Sequence, residues 1–194
     1  MSYYKNVFEA IIARVMKKLI GHFRTITKHR HLVMAHCFKA GIPWRGLLHD
    51  LSKYSPSEFF PGVKYYSGKH SPTADERKDK GFSKAWMHHK GRNKHHYEYW
   101  RDYSLLEKKY VPIKMPLVYV IEMFCDRVAA SKVYMKEKYT DSHPLQYFND
   151  RAAEEEMHPE TAALLKELVT MLSEKGEKET FRYIRRNLIG KRKM

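Results

Sequence analysis

His49 and Asp50 stand side by side after the apolar segment Gly46-Leu47-Leu48, with Leu51-Ser52-Lys53 following. Neighbouring residues on a helix point about 100° apart, so two strong ligands in sequence ordinarily face different partners. At a helix end, however, an imidazole and a carboxylate can converge on one ion, leaving the second carboxylate oxygen for another. A carboxylate buried beside three leucines costs several kcal/mol unless it is paired or coordinates a metal. The competing reading of the dyad is a helix N-cap or an ion pair with Lys53.

Asp126 falls in the middle of the helical run Val120-Ile121-Glu122-Met123-Phe124-Cys125-Asp126-Arg127-Val128-Ala129-Ala130-Ser131. Aspartate competes with the backbone in a helix interior and is disfavoured there. The small residues after it allow close approach of another helix, so Asp126 either pairs with a base such as Arg127 or is a ligand. His29 and His31 precede the dyad, His29 by 20 residues, room for a helix, a turn and a return. Either of them can meet the dyad across an antiparallel pair, or both can be polar surface residues. His36 faces differently from His29 and is set aside.

Four more histidines, His88, His89, His95 and His96, lie within nine positions around the turn Lys90-Gly91-Arg92-Asn93-Lys94. Neutral imidazole suits Zn, Fe, Mn or Ni, and mixed His/Asp sites with open positions are catalytic rather than structural. Lys90, Arg92 and Lys94 add positive charge suited to a phosphate group. The alternative is a nucleic-acid surface, because Trp86, Tyr97, Tyr99 and Trp100 interleave with these bases. His22, His70, His143 and His158 read as bystanders in loops or at helix ends.

The elements that must hold these residues read as helices nearly throughout. Val7, Phe8, Ile11, Ile12, Val15, Leu19 and Ile20 recur at helical spacing, describing a first helix that ends near Gly21. A second runs from about Thr25 to Ala40 and stops at Gly41-Ile42-Pro43. A third starts near Trp44 and breaks at Ser55-Pro56, where Ser55-Pro56-Ser57-Glu58 restarts a helix with an N-cap, an N1 proline and a capping-box glutamate. Residues 67–81 read as a long polar loop or lid. Short helices are expected at 82–90 and 95–103, a long one from Pro116 at N1, and two more from Pro159 and near Lys178. There is no repeat and no convincing alternating strand. The expected fold is all-α, a single-domain bundle of about seven to eight helices over 1–194, with C-terminal helices at 150–190.

The chain of 194 residues carries a formal charge of +15. Residues 1–40 hold eight Lys/Arg against Glu9, residues 175–194 hold eight against two glutamates, and residues 150–174 hold seven acids against two bases. Such a field favours anionic partners, phosphorylated small molecules or nucleic acid, or else it is a solvated surface that aids solubility. No apolar run reaches the length of a membrane span, charges interrupt the N-terminal segment, and two cysteines make no disulfide framework. The expectation is a cytoplasmic protein with no membrane partner.

The order His29, His49-Asp50, His88-His89, Asp126 resembles the HD superfamily of metal-dependent phosphohydrolases. His49-Asp50-Leu51-Ser52-Lys53 is similar to its His-Asp-x-x-Lys segment, and His88-His89 to the double histidine of its two-metal branches. More closely, the stretches 41–56, 88–100 and 115–131 resemble an uncharacterised HD-like family, with a motif-bearing core at about 25–135. The resemblance implies an HD-like helical domain with one or two divalent ions (Mn, Fe, Ni, Zn or Mg). It implies metal ligation by His29, His49, Asp50 and Asp126, with Asp50 bridging to a second ion held by His88, His89 and His95. It further implies that a metal-activated water attacks phosphorus in a nucleotide or other small phosphorylated substrate, with Asp50, Lys53 and Arg92 as the catalytic group and the last two steadying phosphate oxygens. The alternatives are an HD-fold di-iron oxygenase and a basic helical module that binds nucleic acid.

Overall fold

The computed structural model describes residues 2–150 and 153–190, with side chains described for 6–150 and 155–190. Arg151 and the basic tail Lys191-Arg192-Lys193, part of the charge pattern above, lie outside the described residues. The protein is all-α, with one small two-stranded sheet among the described residues. The helices are α1 (Ser2–Ala40), α2 (Pro43–Leu48), α3 (Pro56–Lys64), α4 (Pro72–Lys80), α5 (Lys84–Lys90), α6 (Leu117–Met135), α7 (His143–Asp150), α8 (Ala153–Glu156) and α9 (Pro159–Tyr183). Strands β1 (Arg101–Ser104) and β2 (Lys109–Pro112) lie between α5 and α6. The chain divides into two compact units: residues 1–28 with 51–89, and residues 29–50 with 90–194.

In the first unit two glycines let α1 and α3 close on each other. A Cβ at Gly21 would stand 2.5 Å from the Tyr66 ring, and one at Gly62 would stand 2.3 Å from His22 Nε2. The Thr25 and Tyr66 hydroxyls share a hydrogen bond of 3.0 Å across the same seam. Gly21 is therefore a contact glycine and not a stop, and α1 runs through it as one helix where two were expected. The apolar stripe that opens α1 is a second departure. Phe8, Ile11, Ile12 and Val15 are 63%, 56%, 45% and 51% exposed, so the periodicity marks a face with no cover among the described residues.

Within the segment expected to be a loop, residues 72–80 form α4. Ser71 stands at its N-cap position, Pro72 occupies the first turn, and Gly81 ends it at φ +79°. Its one buried acid, Glu76, accepts hydrogen bonds from Ser83 Oγ (2.6 Å) and the Ala85 amide (3.4 Å), anchoring the start of α5. At the head of α3, Ser55 and Pro56 play the expected parts, but Ser55 makes no side-chain cap and Glu58 turns inward.

The second unit holds the larger core, in which Val33 and Cys37 of α1 meet Ile121, Phe124, Cys125 and Val128 of α6 and Leu165, Leu168 and Leu172 of α9. α1 ends at Gly41 (φ +87°), where the Ile42 amide bonds back to the Cys37 carbonyl at 2.9 Å. Pro43 then starts α2 at once. Gly46 lets α2 lie flat on α1, since a Cβ there would meet Cys37 Cβ at 2.8 Å and Met34 Cα at 2.9 Å. α6 begins one residue later than expected, with Pro116 as its N-cap rather than N1. The helices expected from Pro159 and Lys178 form one element, α9, kinked where Gly176 adopts φ +75°, ψ 172°.

The helix expected at 95–103 is replaced by a single 3-10 turn at Tyr97–Tyr99 and by β1. β1 pairs antiparallel with β2, with Tyr103 opposite Tyr110 and Asp102 opposite Val111. Both strands are short and largely exposed, so no alternation of apolar and polar residues marked them. Leu47, Leu48 and Leu51, read as burying the dyad, are 37%, 58% and 49% exposed. The burial of His49 and Asp50 comes from the histidines and acids around them instead.

Candidate metal centre

Four donors converge within the second unit. α2 ends at Leu48, His49 takes extended backbone (φ −57°, ψ 128°), and Asp50 follows in the left-handed region at φ +54°. This break in helical geometry turns both side chains to one point, with His49 Nε2 standing 3.3 Å from Asp50 Oδ2. Aspartate is among the few non-glycine residues that tolerate the left-handed conformation. From α1, His29 Nε2 lies 2.9 Å from Asp126 Oδ1 and 3.8 Å from Asp50 Oδ2. From α6, Asp126 Oδ1 lies 3.5 Å from His49 Nε2. His31 is exposed, so of the two candidates it is His29 that the fold brings in. Asp126 is met by histidines and not by Arg127, whose guanidinium lies over the Tyr147 and Phe148 rings.

One donor atom from each of His29, His49, Asp50 and Asp126 lies within 4.8 Å of the others. Donors about 2.1 Å from a common ion stand about 3.0 Å apart in an octahedral arrangement and about 3.4 Å apart in a tetrahedral one. The observed separations of 2.9 to 3.8 Å match such edges. His49 Nε2 is buried and faces the Asp50 and Asp126 carboxylates at 3.3 and 3.5 Å. On spacing and donor chemistry, the residues fit a divalent ion.

The electrostatics agree. Burial resists charge on His49, but Asp50, Asp126 and Glu122 outweigh it and raise the imidazole well above its usual pKa. Burial would push the Asp126 carboxyl up, yet hydrogen bonds from His29 and His49 hold it well below the usual carboxylate range. The shifts are opposite in direction and share one cause, the pairing of imidazoles with carboxylates inside the cluster.

The outer contacts went unread in the sequence. Glu122, fully buried, accepts from His49 Nδ1 at 3.0 Å through one oxygen and from Arg45 Nε at 2.7 Å through the other. Burial opposes ionisation of Glu122, but His49 and His95 pull its pKa down to about 2. The overlooked signal is spacing: Glu122 and Asp126 are four residues apart and share one face of α6. His95 also belongs here. Its ring centroid is 4.4 Å from that of His49, Nδ1 is 3.4 Å from Glu122 Oε1, and Nε2 is 3.5 Å from Asp50 Oδ1. Its turn is fixed by Trp100, whose Nε1 donates to the Lys94 carbonyl at 2.8 Å.

His88, His89 and Lys53 belong to the first unit. There both histidines donate from Nδ1 to Glu58, His88 to Oε1 and His89 to Oε2, each at 2.7 Å. Arg92 is exposed on the turn before His95. Of the histidines read as bystanders, His22 is buried beside Phe59, and His143 and His158 accept from backbone amides near helix starts. His36 is a core residue stacked on Phe181, with Nδ1 3.4 Å from the Cys125 carbonyl. Cys37 and Cys125 are buried free thiols.

Fold and site together define an all-α protein with a buried His/Asp cluster able to hold a metal ion. The chain belongs to the family described as "Family of unknown function (DUF5662)", which matches residues 18–171. No curated protein and no solved structure matches it. No described helix is long and apolar enough to cross a membrane.

Proposed function

We propose that the protein is a metal-dependent phosphohydrolase of the HD type, acting on a nucleotide or another small phosphorylated compound. The observation that carries this reading is the convergence of one donor atom each from His29, His49, Asp50 and Asp126 within 4.8 Å of one another. A divalent ion there supplies Lewis acidity toward a phosphoryl oxygen and makes water a nucleophile near neutral pH. The chain's own residues do the rest. Asp50 and Asp126 bring two carboxylates and His29 and His49 two imidazoles. Glu122, clamped by Arg45, fixes the orientation of the His49 ring. Lys53 and Arg92 are assigned to phosphate oxygens on the HD resemblance.

Metal analysis of the purified protein, followed by a panel of nucleotides and generic phosphoesters with Mn, Mg, Ni, Zn or Fe, tests this. The expected result is at least one divalent ion per chain and phosphate release that Asp126→Asn abolishes. A protein that takes up no metal sinks the proposal.

One observation favours a second reading. The two oxygens of Asp50 face different histidines, Oδ2 toward His29 and His49 and Oδ1 toward His95, as a carboxylate bridging two ions would. Two irons per chain, with dioxygen consumed in place of phosphate released, would identify an HD-fold di-iron oxygenase. The +15 charge supports the nucleic-acid reading, which predicts binding that weakens steeply with salt and persists after metal removal.

A further inference from the structure

In the first unit α1 buries one face of itself only over its later turns. Val15, Leu19, His22 and Ile26 share that face at helical spacing, and His22 and Ile26 are buried on it. The cover over His22 comes from α3: Gly62 lies against its ring, and Phe59 packs on it with centroids 5.4 Å apart. α3 ends at Lys64, whose carbonyl accepts from Lys18 Nζ at 2.9 Å. Before that contact the face runs on with no cover among the described residues. Phe8, Ile11, Ile12 and Val15 continue it, and Val7 and Met16, 42% and 46% exposed, widen it.

The rest of the helix surface is basic. Lys17 and Arg24, both exposed, point about 180° away from Phe8 and Val15, and Arg14 flanks the stripe. Over residues 1–28 six Lys/Arg stand against Glu9 alone. An aliphatic and aromatic face joined to a Lys/Arg-rich one is the pattern of helices that lie in the plane of a membrane interface. We propose that the first turns of α1 dock on an anionic phospholipid surface, with the stripe just beneath the headgroups and the bases against their phosphates. Such a helix rests on the bilayer without crossing it, and no described helix is long and apolar enough to cross. Charge and shape select this occupant. A second copy would set two basic helices together with one glutamate each to offset them, and like charges on neighbouring faces repel. Nucleic acid binds through its phosphates and leaves an aliphatic stripe bare. A single convex helix needs a groove in a folded partner, whereas a bilayer interface accepts it as it stands.

The test floats the full chain on a density gradient with vesicles of phosphatidylcholine, with and without phosphatidylglycerol. The chain should rise with the vesicles that contain phosphatidylglycerol and stay behind with phosphatidylcholine alone. Phe8, Ile12 and Val15 are exposed, so changing all three to serine should leave the melting profile as it is. Affinity for the anionic vesicles should fall by about tenfold or more. Arg14→Glu with Lys17→Glu should weaken binding as well, and far more than Lys108→Glu with Lys109→Glu, an equal change of charge in the second unit. Failure to float overturns the proposal. So does binding that the serine variant keeps in full, which is general attraction to a chain of +15. Equal binding to phosphatidylcholine alone removes the anionic partner. A dimer in solution that the serines dissolve, with no flotation, gives the stripe to a second copy instead. If the serine variant unfolds, the two charge reversals decide: equal losses overturn the docking of α1.

Discussion

Asp50 answers two demands at one position, a carboxylate at the cluster and a backbone at φ +54°. An alanine test therefore confounds them, because alanine also meets the steric penalty of the left-handed region, about 1–2 kcal/mol. Asp50→Asn separates the two. It should keep the melting temperature close to the parent's while metal content falls, whereas Asp50→Ala should lose both. An Asp50→Asn protein that keeps its metal would remove Asp50 from the ligand set. His36 gives a prediction on stability. Burial holds its pKa down at about 4 against a usual 6.5. Above pH 6.5 it is neutral whether folded or unfolded and imposes no penalty. As pH falls from 6.5 toward 4, the unfolded chain takes up a proton that the folded chain refuses, and stability drops by at most about 3 kcal/mol. His36→Phe should flatten that part of the curve in urea unfolding followed from pH 7 to pH 4. His49, Asp50 and Asp126 were legible because strong ligand types stood where packing gives them no use. Glu122 was not, because a lone acid in an apolar run reads as an interruption until its partners from α2 and the turn after α5 are known.

At the scale of elements, small residues set the positions that the ligands depend on. Gly46 seats α2 on α1 and so places the His49-Asp50 break. Gly46→Ala would force its Cβ against Cys37 and the Met34 backbone, destabilising by about 1–3 kcal/mol. Metal affinity should fall with it, although no ligand is touched. Thermal melting and zinc titration of the same sample check both halves, and an unaltered titration would show that α2 shifts without moving the dyad. The glycines also explain where the sequence was hard to read. Gly21 resembles a helix stop because its reason, the approach of the Tyr66 ring, lies 45 residues away along the chain. Gly41 was read correctly because its reason is local, the left-handed close of α1. β1 and β2 escaped notice because four-residue strands facing solvent carry no period-two signal.

At the scale of the molecule, the helical content followed from composition and periodicity. The division into two units did not, because α1 crosses it without a break in pattern. The charge field is likewise a property of the whole chain. With +15 to screen, any anionic partner should bind more weakly as salt rises, whereas zinc uptake by the buried cluster should be far less salt-sensitive. Measuring both over the same salt series separates surface attraction from the site.

The opening of α1 has a practical consequence. Every residue from 6 to 17 is exposed, and the family match begins at residue 18. At about 1.5 Å per residue this is a rod of roughly 18 Å with an oily flank facing water. Its removal takes away little that the fold uses. A chain starting at residue 18 should melt within a few degrees of the parent and bind metal equally well, while scattering less light at high concentration. The same rod is a rigid point of attachment: a helical fusion continued into it would inherit the direction of α1, so a carrier joined there would be held at a fixed angle rather than on a flexible tether.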